Sequence, residues 1–359
     1  MIELYRYILA AVVAQTHLWP LGADWTGQIS VFAFYTLSGY LMTRVLNDRY
    51  GFTIRGTAAF VLNRVLRLWP AYLVILTLAL VALRFFPLSN FFFLIRMPKN
   101  PEEVLTNLTI VGQVTFDFLQ WLPLAKPLVT SWSLSIEVCS YVLLAFWFAK
   151  SSRRLWTLAA LGVAAMAIST GWCEISANPA AYGPYCFQNR YGVIQAGFVP
   201  FAFGGLYHFH RRMISQWILR RRWSTMCMIG ALIGAMFSGP LVTTTIGPFM
   251  GVPLMWMLLA NTRDADATKA QDFFGRASYH LFIAHMPMAA VLAIGFHVRP
   301  QSIAIYLATL VLSLGLSTFL VPMEHSINGL RRRIARIGIE QREPSTDNVP
   351  ALRATVDTP

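Results

Sequence analysis

The 359-residue chain is 56% apolar and 13% charged, with 25 Phe and 11 Trp, which excludes an ordinary soluble domain. Its apolar runs are long and continuous, which excludes an outer-membrane barrel whose strands alternate over roughly 10 residues. A formal charge of +13 would suggest nucleic acid in a soluble protein; in a membrane protein, cationic inner loops account for it and no nucleic-acid partner is expected.

In chain order, apolar segments at 4–22, 27–46, 68–86, 132–149, 155–172, 191–209, 224–239, 243–261, 278–296 and 303–322 are predicted to span a membrane. The stretch 104–122 carries Asn107, Gln113, Asp117 and Gln120 and reads as a re-entrant or interfacial segment. With the N-terminus inside, the inner segments hold 23 of the 29 Lys and Arg, and the outer loops hold Arg84, Arg96, Lys99, Lys126, Arg190 and Arg299. That sorting follows the positive-inside rule for both termini cytoplasmic. The expected fold class is all-α, a polytopic membrane helix bundle of about ten transmembrane helices.

The first apolar stretch lacks a small-residue cleavage site, so it reads as a permanent helix of a multi-pass protein in a bacterial inner (plasma) membrane. Residues 1–330 are expected to form the membrane domain. Residues 331–359 open with Arg331, Arg332 and Arg333 and read as a basic, then disordered, cytoplasmic tail. Four Cys in no CxxC arrangement argue against a metal or redox site, and no metal is expected. Cys173 and Cys186 share an outer loop in which a disulfide is permitted, although Cys is equally common as a small apolar residue.

Ionisable groups inside a bilayer cost roughly 2.5–3.5 kcal/mol each on insertion scales, so each needs a reason. Arg6 and His17 are eleven residues apart on the first helix, which brings them to the same face with an axial separation of roughly 16 Å. Arg64 and Arg67 share a face where the chain enters the third span before Pro70 and Tyr72. As topology signals they need no further role; as guanidinium forks they also suit a phosphate-bearing ligand. Ser133, Glu137 and Tyr141 form an i, i+4, i+8 polar stripe on the fourth span, in the outer half of the membrane assigned to His17. A structural Glu paired with a buried Arg competes there with a carboxylate that orients a histidine. Arg276 stands at the edge of the ninth span, Ser278 and His285 lie seven apart on one face with Tyr279 between them, and Pro287 follows. Histidines 208, 210, 280, 297 and 325 read as ordinary interfacial residues.

Arg6 with His17, FYTLSGYLMT at 34–43, NRVLRLWPAY at 63–72, SWSLSIEVCSY at 131–141, PFAFGGLY at 200–207 and GRASYHLFIAHMP at 275–287 occur in one order over nearly the whole chain. Together they resemble the acyltransferase-3 family of integral-membrane O-acyltransferases. The resemblance implies transfer of an acyl group, commonly acetyl from acetyl-CoA, to a hydroxyl of an extracytoplasmic glycan, exopolysaccharide, lipid-linked sugar or small secreted metabolite. It places the family's Arg and His motif on Arg6 and His17, its RxxR motif on Arg64 and Arg67, and its WSLxxE motif on Trp132 through Glu137. The chain departs from the family pattern at Val138 and Cys139, and at Tyr35 and Thr36. No room is expected for the soluble esterase-like domain that some relatives carry.

On this reading acyl-CoA is a donor substrate, with no permanently bound cofactor; membrane lipids and the glycan acceptor are the other partners. Its phosphates are expected near Arg64 and Arg67, with Arg6 or Arg276 as further candidates. His17 is the candidate general base, oriented by Glu137, and Ser133, Tyr279 or His285 are oxyanion candidates in a cavity that also holds Tyr141 and Ser278. A covalent acyl-enzyme on Ser38 or a histidine is the competing scheme, although Ser38 with Gly39 also suits close helix packing. The alternative class is a transporter or flippase for a lipid-linked sugar.

Overall fold

Hydrocarbon leaves a spanning chain no outside partner for its backbone N–H and C=O groups, so long apolar segments must close their hydrogen bonds internally. The computed structural model describes residues 1–21, 25–91, 95–113, 125–176, 191–220, 247–262 and 268–339, and among them the regular elements are all helical. These are α1 (Ile2–Leu18), α2 (Trp25–Val45), α3 (Ile54–Phe85), the short α4 (Pro101–Thr109), α5 (Ser131–Phe146), α6 (Ser152–Ser176), α7 (Phe198–Arg220), α8 (Gly247–Ala260), α9 (Lys269–Gly295) and α10 (Ile303–Ile339). Four helices among the described residues are long and apolar enough to cross a membrane: Thr26–Tyr50, Ile54–Phe85, Lys269–Gly295 and Ile303–Ala335. The expected span at 224–239 lies outside the described residues.

Several helices outrun the apolar stretches that announce them. Thr53 caps α3 by accepting the Gly56 N–H at 3.1 Å, so the helix begins well before residue 68 and passes through Pro70. Arg64 and Arg67 therefore stand within a continuous 32-residue helix. Thr268 and Gln271 form a capping box that starts α9 nine residues before Ser278. The last helix runs on through Arg331 to Ile339, where the sequence suggested a tail. Charged and polar end turns carry no hydropathy signal, but a satisfied cap still extends the helix.

The bundle is organised around α2, which packs against α1, α5, α7 and α8; α1 packs on α9, α9 on α10, and α10 on α3. Glycines permit the tightest crossing. A Cβ on Gly39 of α2 would overlap the carbonyl oxygen of Phe201 on α7, and one on Gly204 of α7 would overlap that of Thr36 on α2. Reciprocal small residues of this kind let two backbones touch, and Gly39 is used for packing. The largest core cluster includes Phe32, Tyr35, Phe60, Tyr72, Tyr141 and Phe201. By contrast, Leu73, Leu78 and Val81 on α3, and Leu307, Val311 and Phe319 on α10, leave an apolar surface exposed, as lipid-facing helices require.

Of the segment 104–122, read as re-entrant or interfacial, residues 114–122 lie outside the described residues; its first part belongs to α4, whose Val104, Leu105 and Leu108 are exposed while Glu103, Thr106 and Asn107 are buried against the protein. Glu103 binds the backbone N–H of Lys99 at 2.7 Å and of Ala125 at 3.0 Å. Asn107 donates to Ala125 O at 2.8 Å, and Tyr72 donates to Asn107 O at 2.7 Å. These bonds fix the chain that leads into α5. Burial alone would push the Glu103 carboxyl up, but the two N–H donors and Arg96 outweigh it and hold it below its ordinary value of 4.5. Burial also pushes the Lys126 ammonium down to about 8; its Nζ donates to Gln113 O at 3.1 Å.

Two outcomes follow for stability. Gly39→Ala or Gly204→Ala should each destabilise the purified protein by on the order of 1–3 kcal/mol through forced separation of α2 and α7. Gly315→Ala on α10, where nothing lies within 4 Å, should be neutral or slightly stabilising. Equal melting temperatures for all three variants would contradict the close crossing. Because the Glu103 carboxyl is depressed in the folded state, its contribution is complete above pH 4.5 and lost as pH falls through the folded value. The acid limb of a melting-temperature profile should therefore flatten in Glu103→Gln.

Candidate active site

Small residues bring α1 and α9 together. Ala10 and Ala14 of α1 and Ala289 and Ala290 of α9 are fully buried in one cluster. Their contact sets His17 against His285 with ring centroids 5.5 Å apart and planes 18° from parallel. The two rings differ in setting. His285 is completely buried, whereas His17, in the last turn of α1, is exposed. His285 Nδ1 lies 3.0 Å from Phe282 O and 3.2 Å from Leu281 O. Only an N–H can bond those carbonyls, so in the neutral ring the proton is on Nδ1 and Nε2 keeps its lone pair. That Nε2 is buried without a hydrogen-bond partner among the described residues. Thr130, just before α5, also donates to Phe282 O at 2.8 Å, which ties the entry of α5 to the histidine pair.

Glu137 lies on α5, where the Glu137 carboxylate accepts from Ser38 of α2 at 2.6 Å and from Tyr141 one turn along its own helix. Sequence alone gives this carboxylate the task of orienting His17; the hydrogen bonds seen on it, from Ser38 and Tyr141, join α2 to α5. Tyr279, Tyr35 and Tyr141 lie within its electrostatic reach.

Three other cavity candidates spend their protons locally. Ser133 donates to Thr130 O at 2.9 Å, Ser278 to Gly275 O at 2.8 Å, and Tyr279 to Leu68 O at 2.8 Å.

The opposite end of α1 is cationic. Arg6 pairs with Glu3 at 3.4 Å, and Glu3 fills the space that a side chain at Gly275 would occupy. Arg64 is buried on α3; its Nη2 donates to Asn63 Oδ1 at 3.1 Å, its Nη1 lies 3.6 Å from Met42 Sδ, and its guanidinium stands 5.6 Å from the centre of the Phe60 ring. Arg64 Nε has no hydrogen-bond partner among the described residues. Arg6, Arg64 and Arg67 lie close enough to repel one another. Arg276 differs, because Glu324 of α10 matches its charge at 3.3 Å.

Glu324 also receives His280 Nε2 at 3.1 Å, and the other ring nitrogen lies 3.0 Å from Ser317 Oγ. His280 is completely buried, which corrects its reading as an interfacial residue. The available signal was the seven-residue spacing of Ser317 and Glu324 on one face of α10, obscured because Glu324 lies beyond the apolar run. Asn63 was likewise not singled out by sequence, and Arg331 was read only as the start of a basic tail. Cys186 and the side chain of Cys173 lie outside the described residues. Among the described residues, no group of three or more His, Cys, Asp or Glu can hold a metal ion.

Compared with known protein families, residues 2–321 match the acyltransferase-3 model, described as an acyltransferase domain, and the chain belongs to that family. Membership, with the apolar helices, makes it a membrane protein of an acyltransferase family. Neither the comparison with curated proteins nor that with solved structures gives a match.

The Glu137 bonds carry their own expectation. Ser38→Ala and Tyr141→Phe each remove a donor from a half-buried carboxylate and should each lower stability by about 1.5–3 kcal/mol. Their double variant should fall short of the sum, because both bonds serve one carboxylate. Strict additivity in detergent unfolding would mean that the two donors act independently.

Proposed function

We propose that this member of the acyltransferase-3 family is an O-acyltransferase of the bacterial inner membrane, with ten spans and both termini cytoplasmic. It moves an acyl group, acetyl in the first instance, from cytoplasmic acyl-CoA to a hydroxyl of an extracytoplasmic glycan, exopolysaccharide or lipid-linked sugar. The observation that carries this reading is the polarity of α1: a guanidinium cluster stands at one end, and an exposed imidazole backed by a buried one stands at the other.

The donor's phosphates dock among Arg6, Arg64 and Arg67, which outnumber the single carboxylate, Glu3, paired with Arg6. Its flexible arm then extends roughly 16 Å, the rise of eleven helical residues, to bring the thioester to His17. His17 takes the proton of the acceptor hydroxyl as that oxygen forms a bond to the thioester carbonyl carbon. Collapse of the tetrahedral adduct breaks the carbon–sulfur bond, and the departing thiolate recovers the proton from His17. His285, pinned by two backbone carbonyls, fixes the wall against which His17 stacks and keeps an unpaired lone pair on its buried Nε2. Glu137 is a positioning residue that keeps α2 and α5 in register through Ser38 and Tyr141.

Membranes supplied with labelled acetyl-CoA and crude surface glycan should leave label on the glycan. A transporter or flippase would leave none. His17→Ala should lower transfer by roughly 10²–10⁴-fold, the usual contribution of a positioned base. Retained turnover in a folded, inserted His17→Ala protein would refute the base assignment. Arg64→Gln with Arg67→Gln should raise the donor KM with less effect on kcat, and an unchanged donor requirement would refute the docking assignment.

A further inference from the structure

The cationic end includes a residue beyond the stretch matched to the family. Arg331 lies on α10, ten residues past position 321, and reaches α3 because the helix continues unbroken to Ile339. Its Nη1 donates to Asn328 Oδ1 at 2.7 Å, and its Nε and Nη2 lie 3.4 and 3.3 Å from Asn63 Oδ1. Asn63 returns the contact by donating Nδ2 to Arg331 O at 3.0 Å. The same Asn63 Oδ1 also accepts from Arg64 Nη2. One neutral amide oxygen therefore holds two guanidinium groups from two helices.

That arrangement is costly without an anion. Arg331 lies close enough to Arg64 and Arg67 to repel both, and Arg67 also faces Arg6. Glu3 is engaged with Arg6; Glu324, which is within electrostatic reach of Arg331, is bonded to Arg276 and His280. Partly buried cations in excess of their carboxylates are stabilised when a ligand supplies the missing charge. The Arg64 guanidinium, with only 9% of the residue exposed, keeps an Nε donor without a partner among the described residues.

The helices also give the cluster an order. Glu324 pairs with Arg276 next to Gly275, against which Glu3 packs, so these residues mark the level of the start of α1. Arg331 is seven residues farther along α10, roughly 10 Å beyond that level and away from His17. Arg64 precedes Arg67 along α3 and lies beside Arg331 through Asn63. A ligand whose reactive end reaches His17 would meet Arg67 and Arg6 first, then Arg64 and Arg331 at its far end.

We infer that Arg331, held by Asn63, forms a second phosphate subsite that takes the 3′-phosphate of the donor's nucleotide, while Arg64 and Arg67 take its diphosphate. The inference rests on acyl-CoA being the donor. It adds that the end of α10 makes the enzyme discriminate CoA thioesters from nucleotides that lack the ribose phosphate. An anionic lipid headgroup carries similar chemistry, so the assay must separate the two sources.

The full chain in nanodiscs of phosphatidylcholine is titrated with acetyl-CoA and with 3′-dephospho-acetyl-CoA. The wild type should bind the former roughly tenfold more tightly or better, in line with one charge-assisted contact. Arg331→Gln should bring that ratio close to one with little change in affinity for the dephospho compound, and Arg331→Lys should retain part of it. Because both ligands are compared in the same sample, a partly folded variant still yields a valid ratio. A wild-type ratio near one, or an Arg331→Gln ratio equal to that of the wild type, would overturn the subsite while leaving the donor reading intact. Absence of binding by either thioester would instead remove the donor reading and this inference with it. Repeating the titration with phosphatidylglycerol added tests the remaining source: an Arg331 effect seen only there would assign the site to lipid and overturn the nucleotide subsite.

Discussion

The close contact of α1 with α9 is the interaction on which the rest of the site depends. Alanines on both helices let the backbones approach, and Gly275 makes room for Glu3 at the other end of the same contact. Without that approach the His17 and His285 rings would not stack, and the Glu3–Arg6 pair would lose the surface it packs on. Packing of this kind has no hydrophobic driving force in lipid and relies on dispersion and on small residues that waste no space. One helix thus carries both a cationic end and an imidazole end, and their spacing is set by helical geometry alone.

Buried polarity is distributed unevenly along the bundle. Around Glu103, Asn107 and Glu137 nearly every donor meets an acceptor, often a backbone carbonyl or amide. His280, Glu324 and Arg276 form a charge-matched group between α9 and α10, although Arg276 Nε and Glu324 Oε2 meet as an ion pair and not as a hydrogen bond. The arginines around Asn63 are the contrast, with charges in excess and an idle buried donor, and His285 Nε2 is another unspent polar atom. Open polar atoms are not confined to these two places, since Asn107 Oδ1, Ser135 Oγ, Ser140 Oγ and Thr309 Oγ1 also lack a hydrogen-bond partner among the described residues; what sets the arginine cluster apart is its excess of charge.

Much of this was legible from residue spacing, because a helix is a local structure. The eleven-residue interval between Arg6 and His17 places them on one face whatever surrounds them, and the stripe through Ser133, Glu137 and Tyr141 is an i, i+4 relation. The motif order identified the family for the same reason, since each motif is short and contiguous. Long-range pairings were not legible. Ser38 meets Glu137 across 99 residues, and Asn63 meets Arg331 across 268, and no periodicity reports such contacts. Arg276 is a useful case: its position at a helix edge suggested a donor ligand, yet Glu324, hidden beyond an apolar run, matches its charge. Helix ends were the other weak point, because caps such as Thr53 and Thr268 add turns that hydropathy does not register.

The length of α3 has one more consequence. Thirty-two residues rise roughly 48 Å, whereas the hydrocarbon core is about 30 Å thick, so part of the helix projects into the headgroup layer. Arg64 and Arg67 belong to its first half, with Arg331 beside them. A polyanion that approaches there must cross the negative surface potential of an acidic leaflet, about −30 mV at physiological ionic strength. The arginines offset that barrier locally, while acidic headgroups compete for the same forks. If this end binds a polyanion as proposed, lipid composition and salt become rheostats on its occupancy, while His17, roughly 16 Å along α1 from Arg6, is set by its packing on His285.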